Sequence, residues 1–185
     1  VGWWAESDGT GFMYRGQERT VPRGSLFRIG ELYGSVGGKN EGLRQTAVEV
    51  ARIIREYENT HFQERTIQPG PADSSIYNLE MNGRSIAQDM AEQGISWTQA
   101  DKRPGSRKLG WERIRTMMRN AGSEEPGLYI FNSCRQFIRT VPTLTRDNRD
   151  PDDVDSNAED HIADETRYRL MATKKELTVM KLSGL

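Results

Sequence analysis

The apolar positions fall into short blocks with two different periods, and those periods predict an alternation of strands and helices. Val1 to Ala5 and Leu26 to Tyr33 read as two strands. A polar, Gly-rich connection through Asp8-Gly9, Gly11 and Pro22-Arg23-Gly24 joins them, so the second can return on the first as a hairpin. Asn40 then opens a helix. In it Leu43, Ala47, Val50, Ala51 and Ile54 recur at helical spacing, while Arg44, Glu49, Arg52 and Arg55 fall outside that stripe. Arg65 to Ile67 is a short strand candidate that runs into Pro69-Gly70-Pro71-Ala72-Asp73, a segment too Pro-rich to continue a central ladder.

Ser85 to Gln93 predicts a short helix stopped by Gly94, Ile95 to Thr98 a strand, and Trp111 to Arg119 a helix. Leu128-Tyr129-Ile130-Phe131, after Pro126-Gly127, has the pattern of a strand buried on both faces. Phe137, Ile138 and Val141 predict a short packed helix that ends before Pro142. From Asp147 to Asp160 the chain is acidic and polar, which predicts a loop leading into a last helix over 157–171. Ser156 and Glu159 would form a capping box for that helix. Leading strands, helices alternating with later strands and a closing helix indicate an α/β sheet with helices on its faces. In such sheets chemistry collects at strand ends and adjoining helix starts.

A length of 185 residues fits one domain, taken as 1–172, with 173–185 as a C-terminal tail. The 35 % hydrophobic and 29 % charged content is polar, but the apolar blocks argue against disorder. A net charge of −1 is silent on nucleic acid, so the distribution of charge carries more than its sum. The single Cys134 excludes an internal disulfide framework and a Cys-rich zinc site, and reads as a small buried side chain in a reducing compartment. No apolar run reaches membrane-span length, and no signal peptide or Walker-type phosphate loop is present. The chain opens Val-Gly-Trp-Trp, already inside a strand pattern and without an initiator Met, as a piece of a longer polypeptide would. Trp3, Trp4, Trp97 and Trp111 read as packing residues, and His61 has no evident role.

Asp160, His161 and Asp164 share the start of the closing helix, and their spacing puts Asp164 near both of the others. Carboxylates there stay ionised beside the helix dipole, which suits a hard divalent cation and equally suits ordinary capping. Asp73 follows a Pro-Gly-Pro turn, as an acid at a sheet end or as the N-cap of a short helix. Lys102, Arg103, Arg107, Lys108, Arg113, Arg115 and Arg119 cluster within 102–119 with Glu112 the sole acid, and Gly105 and Gly110 would loosen the first part. That cluster is a phosphate-contacting surface or a solvated helix face. The acidic loop opposite could gate a site, attract cations or simply link elements.

With their flanks, the two aspartates resemble the nuclease domain of the large terminase subunit of tailed bacteriophages. Gly70-Pro71-Ala72-Asp73-Ser74-Ser75-Ile76-Tyr77 is similar to the motif that carries that family's second acid. Asp152-Asp153-Val154-Asp155 and Ala158-Glu159-Asp160-His161-Ile162-Ala163-Asp164-Glu165-Thr166-Arg167-Tyr168 resemble its final signature. Tyr129-Ile130-Phe131-Asn132-Ser133-Cys134 with Phe137 to Pro142, and Glu31-Leu32-Tyr33-Gly34 with Asn40 to Leu43, follow the same order. The resemblance implies an RNase H-like mixed sheet flanked by helices. It also implies an endodeoxyribonuclease that cuts concatemeric double-stranded DNA at viral genome packaging. Two Mg²⁺ or Mn²⁺ ions about 3.5–4 Å apart would support phosphodiester hydrolysis. Asp73 and Asp164 would be catalytic, metal-binding acids, Asp160 a further ligand, and His161 a ligand, orienting residue or proton handler. Arg103, Arg107, Lys108 and Arg115 would meet DNA. Implied partners are an N-terminal ATPase motor domain of the same polypeptide, the portal and the small terminase, in a host cytoplasm and with no membrane.

One departure stands out. The family's first acid lies on a central strand just before the segment at which this chain opens, so the sheet is expected to lack that strand. Asp8 and Glu31 do not match its motif. A non-catalytic DNA-binding or assembly module is therefore the competing reading from another class, and a junction resolvase or integrase-type nuclease is a third.

Overall fold

The computed structural model describes residues 1–35, 42–63, 65–155 and 158–172. β1 (Gly2–Glu6) and β4 (Leu26–Glu31) pair antiparallel, with Gly2 opposite Glu31 and Glu6 opposite Leu26. The expected return of the second strand on the first is present. Their connection carries its own hairpin of β2 (Phe12–Tyr14) and β3 (Gln17–Arg19). β4 also pairs in parallel with β7 (Leu128–Ile130), so the sheet runs β1-β4-β7 with β4 in the middle. It is a mixed sheet in an α/β chain.

Alternation along the strands sends neighbouring side chains to opposite faces. Trp3 packs with Ala51 and Ile54 of α1 (Ala47–His61) and Met90 of α2 (Ile86–Glu92), stacked on Tyr57 at 4.2 Å. On the other face Leu26 and Leu128 meet Trp111 and Ile114 of α3 (Ser106–Arg119) and Phe137 of α4 (Arg135–Thr140). Ile162, Ala163 and Leu170 of α5 (His161–Met171) complete that cluster, against which Trp4 rests. Each large apolar side chain so buried contributes roughly 1.5–3 kcal/mol. Cys134 is fully buried among them.

Several boundaries differ from the sequence expectation, each for a local reason. α1 starts after Thr46, whose side chain accepts from the Glu49 N–H at 3.3 Å while Glu49 accepts from the Thr46 N–H at 2.7 Å. That reciprocal cap outranks the apolar stripe, and Leu43 stands exposed before the helix. Asn40 lies outside the described residues. Arg65 to Ile67 forms no strand. β5 (Pro71–Ala72) takes its place and pairs in parallel with β6 (Thr98–Gln99), three residues beyond the expected start at Ile95. Tyr129 of β7 is only half-buried against Phe27 at 5.0 Å, and Phe131 beyond the strand is exposed, so burial on both faces does not hold. α5 starts at His161, and Glu159 goes to Arg139 and Tyr33 instead of capping it. Ser156 lies outside the described residues.

α3 reaches back to Ser106, so Gly110 sits inside a helix and does not loosen it. A Cβ at Gly110 would lie 2.9 Å from the Arg167 Cβ, so the glycine lets α3 and α5 cross in direct contact. Arg28, only 1 % exposed, ties β4 to α5 through Glu165, and its guanidinium lies 5.2 Å from the Trp4 ring centroid.

Candidate functional site

Asp73 closes β5 and N-caps a 3-10 turn over Ser74–Tyr77, so the turn fixes its backbone and the parallel β5–β6 pair fixes its surroundings. Oδ1 accepts from the Ser75 N–H at 2.9 Å and from Lys102 Nζ at 3.2 Å. Oδ2 accepts from the Tyr168 hydroxyl at 2.7 Å and from the same Nζ at 2.9 Å. Burial works against the charge, but the Lys102 ammonium, the Ser75 N–H and the Tyr168 hydroxyl outweigh it and hold the carboxyl well below the usual carboxylate range. Burial and the bond to Asp73 push the Tyr168 phenol up.

Tyr168 and Asp164 both belong to α5, and Arg167 joins them. Arg167 Nε donates to Asp164 Oδ1 at 2.7 Å, and its Nη2 donates to the Tyr168 hydroxyl oxygen at 3.3 Å. Asp73 and Asp164 thus sit at two ends of one hydrogen-bonded chain, Asp73–Tyr168–Arg167–Asp164. Asp164 Oδ1 also lies 3.5 Å from Arg107 Nη1.

Arg107 stands at the centre of an acidic ring. Its Nε meets Asp153 at 2.7 Å, its Nη2 meets Asp160 at 3.2 Å, and its guanidinium lies over Trp111. Asp160 therefore faces the same cation as Asp164, as the helical spacing predicts, but makes no cap bond to α5. His161 turns elsewhere. It is exposed and lines a cleft with Val1, Glu31, Tyr33 and Glu165, a lining that does not include Asp164. Glu31 accepts from the Gln136 and Phe137 N–H groups at 2.5 and 3.1 Å, which makes it the anchor of α4. Asp8 closes a turn with Thr10.

The basic cluster is largely paired. Arg103 binds Asp101, Lys108 binds Asp150 at 2.6 Å, and Arg115 and Arg119 both reach Glu112. Sequence reasoning missed three things: Lys102 on Asp73, Tyr168 as its donor, and Arg107 as the common partner of three acids. The signal for Tyr168 was present in the Arg167-Tyr168 pair one turn after Asp164; nothing local marked the other two.

Carboxylates on a part-exposed rim are hard oxygen donors of the kind Mg²⁺ and Mn²⁺ take, one or two at a time with water filling the remainder. Asp73 and Asp164 are acids of this kind, joined through Tyr168 and Arg167, and among the described residues no three His, Cys, Asp or Glu side chains converge as a metal site. Among those residues, too, no helix is long and apolar enough to cross a membrane. Compared with protein-family models, curated proteins and solved structures, the chain returned no match.

Proposed function

We propose that the chain is the endonuclease domain of a phage DNA-packaging terminase, RNase H-like in fold, with Asp73 and Asp164 as its cation-binding acids. The observation that carries this reading is the junction of the two motifs: the Tyr168 hydroxyl, 95 residues from Asp73 in sequence, donates to it directly. The two motifs lie far apart in the sequence, and their meeting at one place supports this reading. Divalent cations, when bound, supply Lewis acidity and an activated water for in-line phosphodiester hydrolysis. Asp73 and Asp164 would hold them, with Asp160 beside the second acid. Tyr168 and Arg167 fix the angle of each carboxylate, as partners of metal-binding groups commonly do. His161, which lines the cleft beside Val1 and Glu31, is no ligand in this reading. Double-stranded DNA is the proposed substrate. The ATPase motor domain, portal and small terminase are the proposed partners, on the resemblance alone.

Plasmid nicking by the full-length protein in Mg²⁺ or Mn²⁺ tests it. Asp73→Asn and Asp164→Asn, each folded by circular dichroism, should each lose more than the 10–100-fold that disturbing an outer-shell partner typically costs. Unchanged cleavage in both variants sinks the assignment of the site to these acids, and no cleavage by the wild type leaves a non-catalytic DNA-binding or assembly module.

A further inference from the structure

Asp73 is saturated, and one of its donors is unlike the rest. A carboxylate offers about four acceptor positions on its two oxygens, and here two donors meet each oxygen: Ser75 N–H and Lys102 on Oδ1, Tyr168 and Lys102 on Oδ2. A cation cannot approach this acid unless a donor withdraws. The Ser75 N–H is backbone within a closed 3-10 turn. The Tyr168 hydroxyl belongs to a side chain 6 % exposed, with the Arg167 guanidinium 4.3 Å from its ring centroid. The first cannot leave without opening that turn, and the second cannot leave without unpacking α5. Lys102 can: its side chain is 44 % exposed and ends in a compact ammonium on a four-carbon stem.

We infer that Lys102 is a built-in counter-ion of Asp73 that a divalent cation displaces, leaving Ser75 and Tyr168 to hold the carboxylate. This rests on the cation-binding reading of Asp73 above and adds a residue to it. Before cation arrival Lys102 keeps the charge compensated and the carboxylate in place. The same contact makes Lys102 a competitor, so cation affinity at Asp73 is lower than the bare carboxylate would show. An ammonium suits this role better than a guanidinium, whose planar fork would grip both oxygens and release them less readily.

Brief acetylation followed by peptide mass spectrometry reads how accessible the Lys102 amine is in the folded full-length protein. Labelling of Lys102 should rise several-fold when Mg²⁺ is added. In Asp73→Asn, whose amide still caps Ser75, it should be high from the start and insensitive to Mg²⁺. Mn²⁺ binding followed by electron paramagnetic resonance should be tighter in Lys102→Met than in wild type. Two failures are distinguishable. If Mn²⁺ binds wild type and Asp73→Asn equally, the cation-binding reading of Asp73 falls and takes this inference with it. If binding depends on Asp73 while Lys102 labelling ignores Mg²⁺, only the displacement of Lys102 is overturned.

Discussion

At the scale of single residues, Tyr168 decides how Asp73 is held. Its hydroxyl is the one donor on that carboxylate that comes from the far side of the site, while its ring stays packed beside Arg167. Because the folded-state pKa of Asp73 lies below its ordinary value of 3.8, its interactions stabilise the fold above that pH. They are lost as pH falls below it. Tyr168→Phe keeps the ring and deletes the donor. A typical hydrogen bond is worth about 1 kcal/mol, and water screens this one in part because the Asp73 side chain is 36 % exposed. The expected loss at pH 7 is therefore about 0.5–1 kcal/mol by urea unfolding. The gap between wild type and variant should narrow as the buffer is taken from pH 5 down past 3.8. A gap that is constant over that range would show that Tyr168 does not act through the Asp73 charge.

Among the elements, the crossing of α3 and α5 sets the site, because α5 carries Asp164, Arg167 and Tyr168 while α3 supplies Arg107. Gly110→Ala places a Cβ 2.9 Å from the Cβ and 3.2 Å from the Cδ of Arg167. Arg167 is 4 % exposed and cannot swing aside as a surface side chain would. Alanine gains about 1 kcal/mol of helix propensity, but overpacking a filled contact costs about 1–3 kcal/mol. The net expectation is a lower melting temperature together with weaker Mn²⁺ binding. A higher melting temperature with binding intact would mean that the two helices can separate without disturbing the site. This crossing also shows where the sequence stops being legible. The apolar periods reveal that a helix exists near Ile114 and another near Ile162, and the flanking motifs single out Asp73 and Asp164. Helix ends answer to local hydrogen bonding, so the Thr46–Glu49 cap moved α1 away from Asn40. Lys102 and Asp73, 29 residues apart, meet only because β5 and β6 pair. No local period encodes a contact made by strand pairing, and a glycine inside a charged stretch reads as slack until the neighbouring helix is known.

Across the whole molecule, a net charge of −1 conceals an internal opposition. The start of α3 is basic, and the loop running from Asp147 to Asp155 lies against it. The loop is pinned by buried Val154, by the Asp153 bonds to Arg107 and Trp111, and by the Lys108–Asp150 pair at 2.6 Å. The positive surface expected to meet DNA is thus largely neutralised by the chain itself, and a polyanion must compete with the loop for the same cations. On the proposed reading, affinity for duplex DNA would depend on the loop acids as much as on the basic residues. Asp150→Asn frees Lys108 while leaving the Asp153 anchor in place, so the loop should keep its conformation. Each additional phosphate neutralised steepens the plot of log binding constant against log salt by about 0.9. The variant should bind a short duplex more tightly at low salt and show a slope steeper by up to that amount, measured by fluorescence anisotropy across a salt series. Lys108→Gln alone should change the slope little, since its charge is already spent on Asp150. If Asp150→Asn leaves both affinity and slope unaltered, the start of α3 is a solvated helix face, and duplex DNA must be sought on another surface of the chain.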